Sequence, residues 1–203
     1  MSNIAIFGDS IVHGVLDLEK GGWAERLKVD LWNDESQSQS EVYVFGIDGS
    51  ATKDLLNRFD VELSSMLYGL DVVILAIGIN DTSVYKNGEK GSTTTSFGEN
   101  IEKLIKKAQK KVGHVYICGL TQVTEELVSP LPVSKSGKSY QNDRIAVFDE
   151  ILRFTSTEYD CHFISLQTLL KKEDLADGLH PNAQGHEKIF RHVKQLLIET
   201  NII

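Results

Sequence analysis

The stretch IAIFGDSIVHG, from Ile4 to Gly14, joins a short apolar run to a glycine, an acid and a hydroxyl residue. A short, nearly continuous apolar run is typical of a strand that is buried on both faces of a parallel sheet. A helix can begin just beyond Ser10, so the ordinary interpretation of these residues is a turn with a helix cap. The alternative interpretation is that Ser10 is a nucleophile, and the other motifs of the chain are needed to choose between the two.

Four more β-rich runs follow along the chain, and longer segments of helical period separate them. With the first run, the predicted strands are Asn3–Phe7, Glu41–Phe45, Asp71–Ile77, His114–Cys118 and Cys161–Leu166. The predicted helices are Gly22–Asn33, Thr52–Tyr68, Phe97–Val112, Tyr140–Glu158 and Asn182–Thr200. The stretches Asp81–Ser96 and Thr121–Ser139 are predicted to be loops.

Five βα units with right-handed crossovers predict an α/β protein with three layers, α/β/α. We expect a flavodoxin-like, doubly wound parallel sheet of five strands in the order 2-1-3-4-5. A chain of 203 residues is long enough for one sizeable core, so residues 1–203 are expected to form a single domain.

Composition excludes several classes of function. The net charge of −8 argues against a protein that binds nucleic acid or an anionic membrane. No apolar stretch approaches the length of a membrane span. Both cysteines, Cys118 and Cys161, lie in apolar strand-like runs, which favours buried free thiols over a disulfide. The first strand begins too early to leave room for a signal peptide, so a cytoplasmic location is expected.

Polar and small residues follow the first three predicted strands, where the proposed strand order makes them converge. In this order the crevice of the sheet opens at the carboxyl ends of strands 1 and 3. A fourth such cluster follows strand 5 and precedes the last helix. The four segments are Gly8-Asp9-Ser10, Gly46-Ile47-Asp48-Gly49, Gly78-Ile79-Asn80-Asp81 and Asp177-Gly178-Leu179-His180-Pro181-Asn182.

Together these segments can form a site for acyl transfer. The Ser10 hydroxyl is a weak nucleophile until a base takes its proton, and His180 is the candidate base. Asp177, three residues earlier, can accept the other ring N–H and fix the tautomer. The backbone N–H groups of Ser10 and Gly49 and the side-chain amide of Asn80 can stabilise the oxyanion that forms on the carbonyl oxygen.

These four blocks, in their order and spacing, resemble those of the SGNH (GDSL-type) hydrolase family of lipases and esterases. The resemblance implies that Ser10 is the nucleophile, with His180 as the base and Asp177 as its orienting partner. It also implies an oxyanion hole formed by Ser10, Gly49 and Asn80. Family members hydrolyse carboxylic esters and thioesters without a metal or a cofactor. Many relatives carry an asparagine where this chain has Val44, a position that we take to be structural.

The expected function is a serine esterase acting on a small-molecule ester with a small or medium acyl group. A carbohydrate O-deacetylase or an acyl-thioesterase of the same fold is an alternative. A flavodoxin-like anion-binding module, with Gly8-Asp9-Ser10 at a helix start, is the non-enzymatic alternative, but it does not require Asp177 and His180 as a pair.

The remaining polar residues near the blocks have weaker assignments. Asp9 and Asp81 are expected to support the backbone of the site. His13 is expected to be an ordinary polar helix residue, with a position at the edge of the pocket as the alternative. Histidines spaced by six do not share a helix face, so no metal cluster is expected from His180, His186 and His192. The candidate pocket residues in the two loops and at the start of the following helix are Tyr85, Leu131, Val133 and Tyr140.

Overall fold

Five parallel strands form the centre of the molecule, in a computed structural model that describes residues 2–35, 40–66, 69–132 and 134–203. The strand order is β2-β1-β3-β4-β5, as the sequence predicted. In register, Gly8 at the end of β1 lies beside Gly46 of β2 and Ala76 of β3. The strands are β1 (Ile4–Gly8), β2 (Val42–Gly46), β3 (Val72–Ala76), β4 (His114–Cys118) and β5 (His162–Ile164).

Helices cover both faces of this sheet, which confirms the α/β fold with three layers. Along β1, Ala5 and Phe7 point to one apolar cluster, whereas Ile4 and Ile6 point to the other. Both faces are therefore buried, which explains the nearly continuous apolar runs. The helices are α1 (Ser10–His13), α2 (Trp23–Asn33), α3 (Thr52–Ser64), α4 (Thr94–Gln109), α5 (Glu125–Val128), α6 (Asn142–Glu158) and α7 (Ala183–Glu199), with short 3-10 helices at Ile79–Thr82 and Lys172–Asp174.

Several predicted boundaries are wrong, and a local contact explains one of them. Helix α4 begins inside the predicted loop Asp81–Ser96, because the Thr93 hydroxyl accepts a hydrogen bond from the backbone N–H of Ser96 and caps the helix. The predicted loop Thr121–Ser139 contains the short helix α5.

Strand β5 is shorter than the predicted Cys161–Leu166, and α3 ends at Ser64. Tyr68, the predicted end of α3, lies outside the described residues. Cys118 is buried and Cys161 half-buried, and both are free thiols. Among the described residues, no helix is both long and apolar enough to cross a membrane.

A tight turn joins β1 to α1 and determines where Ser10 lies. A Cβ atom on Gly8 would collide with the Ala76 carbonyl oxygen and the Val12 side chain, so only glycine fits at the end of this strand. Asp9 then caps α1, because its carboxylate accepts a hydrogen bond from the backbone N–H of Ile11 at 2.9 Å. This local geometry places Ser10 as the first residue of α1, at the carboxyl edge of the sheet.

Candidate active site

A serine, a histidine and an aspartate form a continuous chain of hydrogen bonds at this edge of the sheet. The Ser10 Oγ atom lies 3.0 Å from His180 Nε2, although 170 positions separate the two residues. On the other side of the ring, His180 Nδ1 lies 2.8 Å from Asp177 Oδ2. The structure therefore brings together the three residues that the sequence predicts as nucleophile, base and orienting acid.

The turn before α7 holds the aspartate and the histidine in this orientation. Asp177 Oδ1 accepts hydrogen bonds from the backbone N–H groups of Leu179 at 3.0 Å and His180 at 2.8 Å. Gly178 has a φ of 91°, a left-handed conformation that a residue with a side chain adopts only with strain. The tight turn thus allows one carboxylate to bind both the backbone and the imidazole.

Asp177 is held in its ionised form. Burial on its own would raise its pKa, but the hydrogen bonds from the His180 ring and from the two backbone N–H groups lower the pKa to about 2. The carboxylate is therefore an acceptor at neutral pH, and it favours the His180 tautomer that carries a proton on Nδ1. This leaves Nε2 as an acceptor for the Ser10 hydroxyl.

Three predicted oxyanion donors, Ser10, Gly49 and Asn80, line the cavity that contains Ser10 and His180. Within the described ranges, the backbone N–H groups of Ser10 and Gly49 have no hydrogen-bond acceptor. Gly49 has a φ of 74°, in a turn that the hydrogen bond from the Ser50 N–H to the Ile47 carbonyl oxygen closes at 3.1 Å. Both backbone donors are therefore available to a ligand.

Contacts on both sides of the Asn80 amide determine its orientation. Its nitrogen donates to the Ser50 carbonyl oxygen at 3.1 Å, and its oxygen accepts from the Tyr140 hydroxyl at 3.2 Å. Asn80 and Tyr140 are both buried. Because the amide oxygen is occupied by Tyr140, the amide presents its nitrogen rather than its oxygen as the group available to a negatively charged atom.

Asp81 and Asp9, the two acids expected to support the site, differ in their contacts. Asp81 is fully buried and accepts hydrogen bonds from the Thr52 N–H and hydroxyl and from the Ser92 hydroxyl, which tie α3 and the loop before α4 to the end of β3. Burial raises its pKa despite these bonds. Burial also raises the pKa of Asp9 to about 7, although the Ile11 N–H opposes the shift.

The cavity at the site has a volume of about 250 Å³. Of the predicted pocket residues, Leu131 and Tyr140 line this cavity, whereas Tyr85 lines a separate surface cavity and Val133 lies outside the described residues. The sequence did not predict Ser134 and Lys138, the polar residues that line the cavity from the loop before α6, because that loop has no motif that indicates its path. Asp48, which belongs to the predicted segment Gly46-Ile47-Asp48-Gly49, also lines the cavity.

His13 also has a partner that the sequence did not predict. Its Nδ1 atom lies 2.6 Å from Asp48 Oδ1, and both side chains are exposed. The contact joins the end of α1 to the turn that carries Gly49. His13 therefore contacts the site's periphery and does not line the cavity.

A serine whose hydroxyl contacts an imidazole, beside unpaired backbone N–H groups, is the arrangement that nucleophilic acyl transfer requires. The comparison with known proteins agrees with this class. The chain belongs to the GDSL-like lipase/acylhydrolase family, which matches residues 6–188. The resemblance to the SGNH hydrolases is thereby confirmed, and the chain is an ester hydrolase by family. No curated protein is significantly similar to it in sequence.

Solved structures of esterases share this fold. An acetyl xylan esterase, AlAXEase, has a TM-score of 0.76 at 22% identity, covering 96% of this chain and 99% of that chain. A lipase/acylhydrolase from Enterococcus faecalis has a TM-score of 0.76 at 23% identity, with 97% and 95% covered. An acetylxylan esterase from Geobacillus stearothermophilus has a TM-score of 0.74 at 18% identity, with 96% and 93% covered. At these identities the similarity establishes the fold alone.

Proposed function

We propose that the protein is a serine esterase that hydrolyses carboxylic esters of small or medium acyl groups through an acyl-enzyme on Ser10. The observation that carries this proposal is the pair of contacts made by His180, to Ser10 Oγ at 3.0 Å and to Asp177 at 2.8 Å. An anion-binding module would need neither contact.

In the proposed mechanism His180 Nε2 takes the proton of Ser10 as Oγ attacks the ester carbonyl carbon. The negative charge that develops on the carbonyl oxygen is stabilised by the N–H groups of Ser10 and Gly49 and by the Asn80 amide. The imidazolium, stabilised by ionised Asp177, then gives its proton to the leaving alcohol. In the second half of the reaction His180 activates a water molecule, which attacks the acyl-enzyme and releases Ser10.

The size of the cavity supports a small or medium acyl group. At about 250 Å³ it is smaller than the cavities of roughly 300–1,000 Å³ that hold drug-sized ligands. Its apolar lining from Val15, Leu131 and Leu179 suits a short hydrocarbon chain. Long acyl chains would have to extend into solvent.

A carbohydrate O-deacetylase is the second candidate, because polar side chains also line the cavity. Asp48, Ser134 and Lys138 offer hydrogen-bonding groups to a hydroxylated alcohol. Two of the solved structures with this fold are of acetyl xylan esterases, which supports testing acetylated sugars.

A panel of aryl esters graded by acyl length, run beside acetylated xylo-oligosaccharides and acyl-thioesters, tests the proposal. We expect the highest kcat/KM for short acyl esters and complete loss of hydrolysis in Ser10→Ala. A sulfonyl fluoride should label Ser10 in the wild type, and Ser136→Ala, an exposed serine, should serve as an unaffected control. Activity retained in Ser10→Ala, or a label on another serine, would overturn the proposal. A cytoplasmic location also belongs to it, and cell fractionation checks that.

A further inference from the structure

One cation of the cavity has no role in the proposed reaction. Lys138 lines the same cavity as Ser10 and His180, on the loop between α5 and α6, and it is half-buried. It is the only lysine or arginine among the cavity's lining residues, all of which belong to the described ranges. The side chain of Lys138 is therefore part of the wall that a substrate bound in this cavity would contact.

The backbone of Lys138 is anchored, so its side chain begins from a fixed point. Its N–H donates to the Ser134 hydroxyl at 3.0 Å, and its carbonyl oxygen accepts from the Leu131 N–H at 2.8 Å. The next residue, Ser139, exchanges two backbone hydrogen bonds with Val84 at 2.8 and 3.0 Å. An anchored lysine at a cavity wall loses less conformational freedom on binding a ligand than a lysine on a mobile tail.

The ammonium group of Lys138 has no acidic partner in the parts of the chain that the structure describes. Other lysines, including Lys188 and Lys194, form ion pairs with Asp174 and Asp30. Lys138 Nζ instead lies 5.8 Å from the centroid of the Tyr85 ring, a contact that leaves its three N–H donors available.

Asp48, the acidic residue in the lining of the cavity, is hydrogen-bonded to His13 and not to Lys138. Asp177 lies behind His180, and both of its oxygens accept hydrogen bonds from the turn before α7 rather than from Lys138. The whole chain carries a net charge of −8, which repels anions at long range. A substrate with a negative charge therefore needs a local cation at this site, and Lys138 supplies one.

We propose that Lys138 binds an anionic group, such as a carboxylate, carried by the ester substrate, so that the enzyme favours anionic over neutral esters. This inference rests on the proposed esterase function and adds a substrate class to it. The charge can belong to the acyl part or to the alcohol part, and the shared chemistry is a carboxylate within reach of the Lys138 ammonium.

Two matched pairs of esters test the inference and separate the two sources of charge. For the alcohol part, 3-acetoxybenzoate is compared with neutral 3-acetoxybenzamide. For the acyl part, monomethyl succinate is compared with neutral methyl succinamate. Hydrolysis is followed at constant pH by the acid released, in the wild type, Lys138→Met, Lys138→Arg and the control Lys135→Met, an exposed lysine of the same loop.

We expect Lys138→Met to lower kcat/KM for the anionic member of at least one pair about tenfold, the effect of losing one hydrogen bond to a charged group. The kcat/KM of Lys138→Met for the neutral member of that pair should differ from the wild-type value by less than about twofold. Lys138→Arg should retain most of the preference, Lys135→Met should behave as wild type, and added salt should reduce the preference.

The outcomes distinguish this inference from the function on which it rests. An equal anionic-to-neutral ratio in the wild type and Lys138→Met, with hydrolysis that still depends on Ser10, overturns the role of Lys138 alone. If the wild type hydrolyses none of the four esters and none of the aryl panel, the esterase proposal fails and the inference fails with it.

Discussion

Removing the Tyr140 hydroxyl should weaken Asn80 as an oxyanion donor while leaving its amide in place. The hydroxyl donates to Asn80 Oδ1 at 3.2 Å, and Asn80 Nδ2 donates to the Ser50 carbonyl oxygen at 3.1 Å. Burial raises the pKa of Tyr140 further above neutral, so the phenol remains a donor at every pH at which the enzyme is assayed. Tyr140→Phe keeps the ring in the cavity wall and removes only this contact.

The size of the effect follows from the strength of one hydrogen bond. A neutral hydrogen bond contributes about 0.5–1.5 kcal/mol net, so Tyr140→Phe should lower kcat about 2- to 10-fold. Asn80→Ala removes the donor itself and should lower kcat about 10²–10³-fold. KM should change little in either variant, because the amide is needed mainly once charge develops on the carbonyl oxygen.

Steady-state kinetics on the wild type, the two single variants and the double variant form the assay. Because Tyr140 acts through Asn80, the second substitution should cost nothing further in the Asn80→Ala background. The control Tyr116→Phe loses a hydrogen bond with Thr200 at 2.6 Å, away from the cavity, and should leave kcat unchanged. The reasoning is refuted if Tyr140→Phe lowers kcat by the same factor in the Asn80→Ala background as in the wild type. It is also refuted if the substitution raises KM, which would indicate that Tyr140 contacts the substrate directly.

Asp177→Asn keeps an acceptor for the backbone but places an amide against His180 Nδ1, so kcat should fall about 10⁴-fold. Kinetics and melting temperature check this, and a loss below about tenfold in kcat contradicts it. Burial raises the pKa of Asp9 to about 7, so the folded state holds a proton there that the unfolded state releases at lower pH. The free energy of unfolding should therefore fall as pH rises from about 4 to 7, by up to about 1.4 kcal/mol per pH unit. The melting temperature of Asp9→Asn should therefore rise relative to that of the wild type as pH rises. A difference in melting temperature that stays constant with pH would contradict the raised pKa of Asp9. Arg26→Met leaves buried Asp17 without its guanidinium partner at 2.8 Å, so the free energy of unfolding measured with urea should fall by about 3 kcal/mol. An unchanged free energy of unfolding would contradict this expectation.

The order of the sheet could be predicted because it depends on regular features of the chain. Apolar runs mark the buried strands, and right-handed crossovers leave few arrangements for five βα units. Helix boundaries were harder, as α4 shows. Its apolar period begins at Phe97, but the helix begins at Thr94, because the capping contact lies with Thr93 and the first turn contains weak helix formers.

The contacts of the candidate site also differ in whether the sequence could predict them. The contact between Asp177 and His180 is local, so a spacing of three residues was enough to predict it. The contact between Ser10 and His180 spans 170 positions and could be expected only from the strand order together with the family resemblance. The contact of Tyr140 with Asn80 could not be predicted from local spacing, from the strand order or from the family resemblance. No motif marks it, and the loop before Tyr140 has no periodic pattern that would indicate its path.

A single backbone connection explains why Lys138 and the contact of Tyr140 with Asn80, which the sequence did not predict, occur together. Ser139 pairs with Val84 in both directions, and Val84 lies just beyond the segment that carries Asn80. This pairing holds the loop against the end of β3, so that Lys138 lines the cavity and Tyr140 reaches the Asn80 amide. The proposed reaction therefore depends on residues at strand ends, whose positions follow from the sheet. The proposed substrate preference depends on a loop whose position follows from one long-range pairing, so substitutions in that loop can change the substrate without changing the fold.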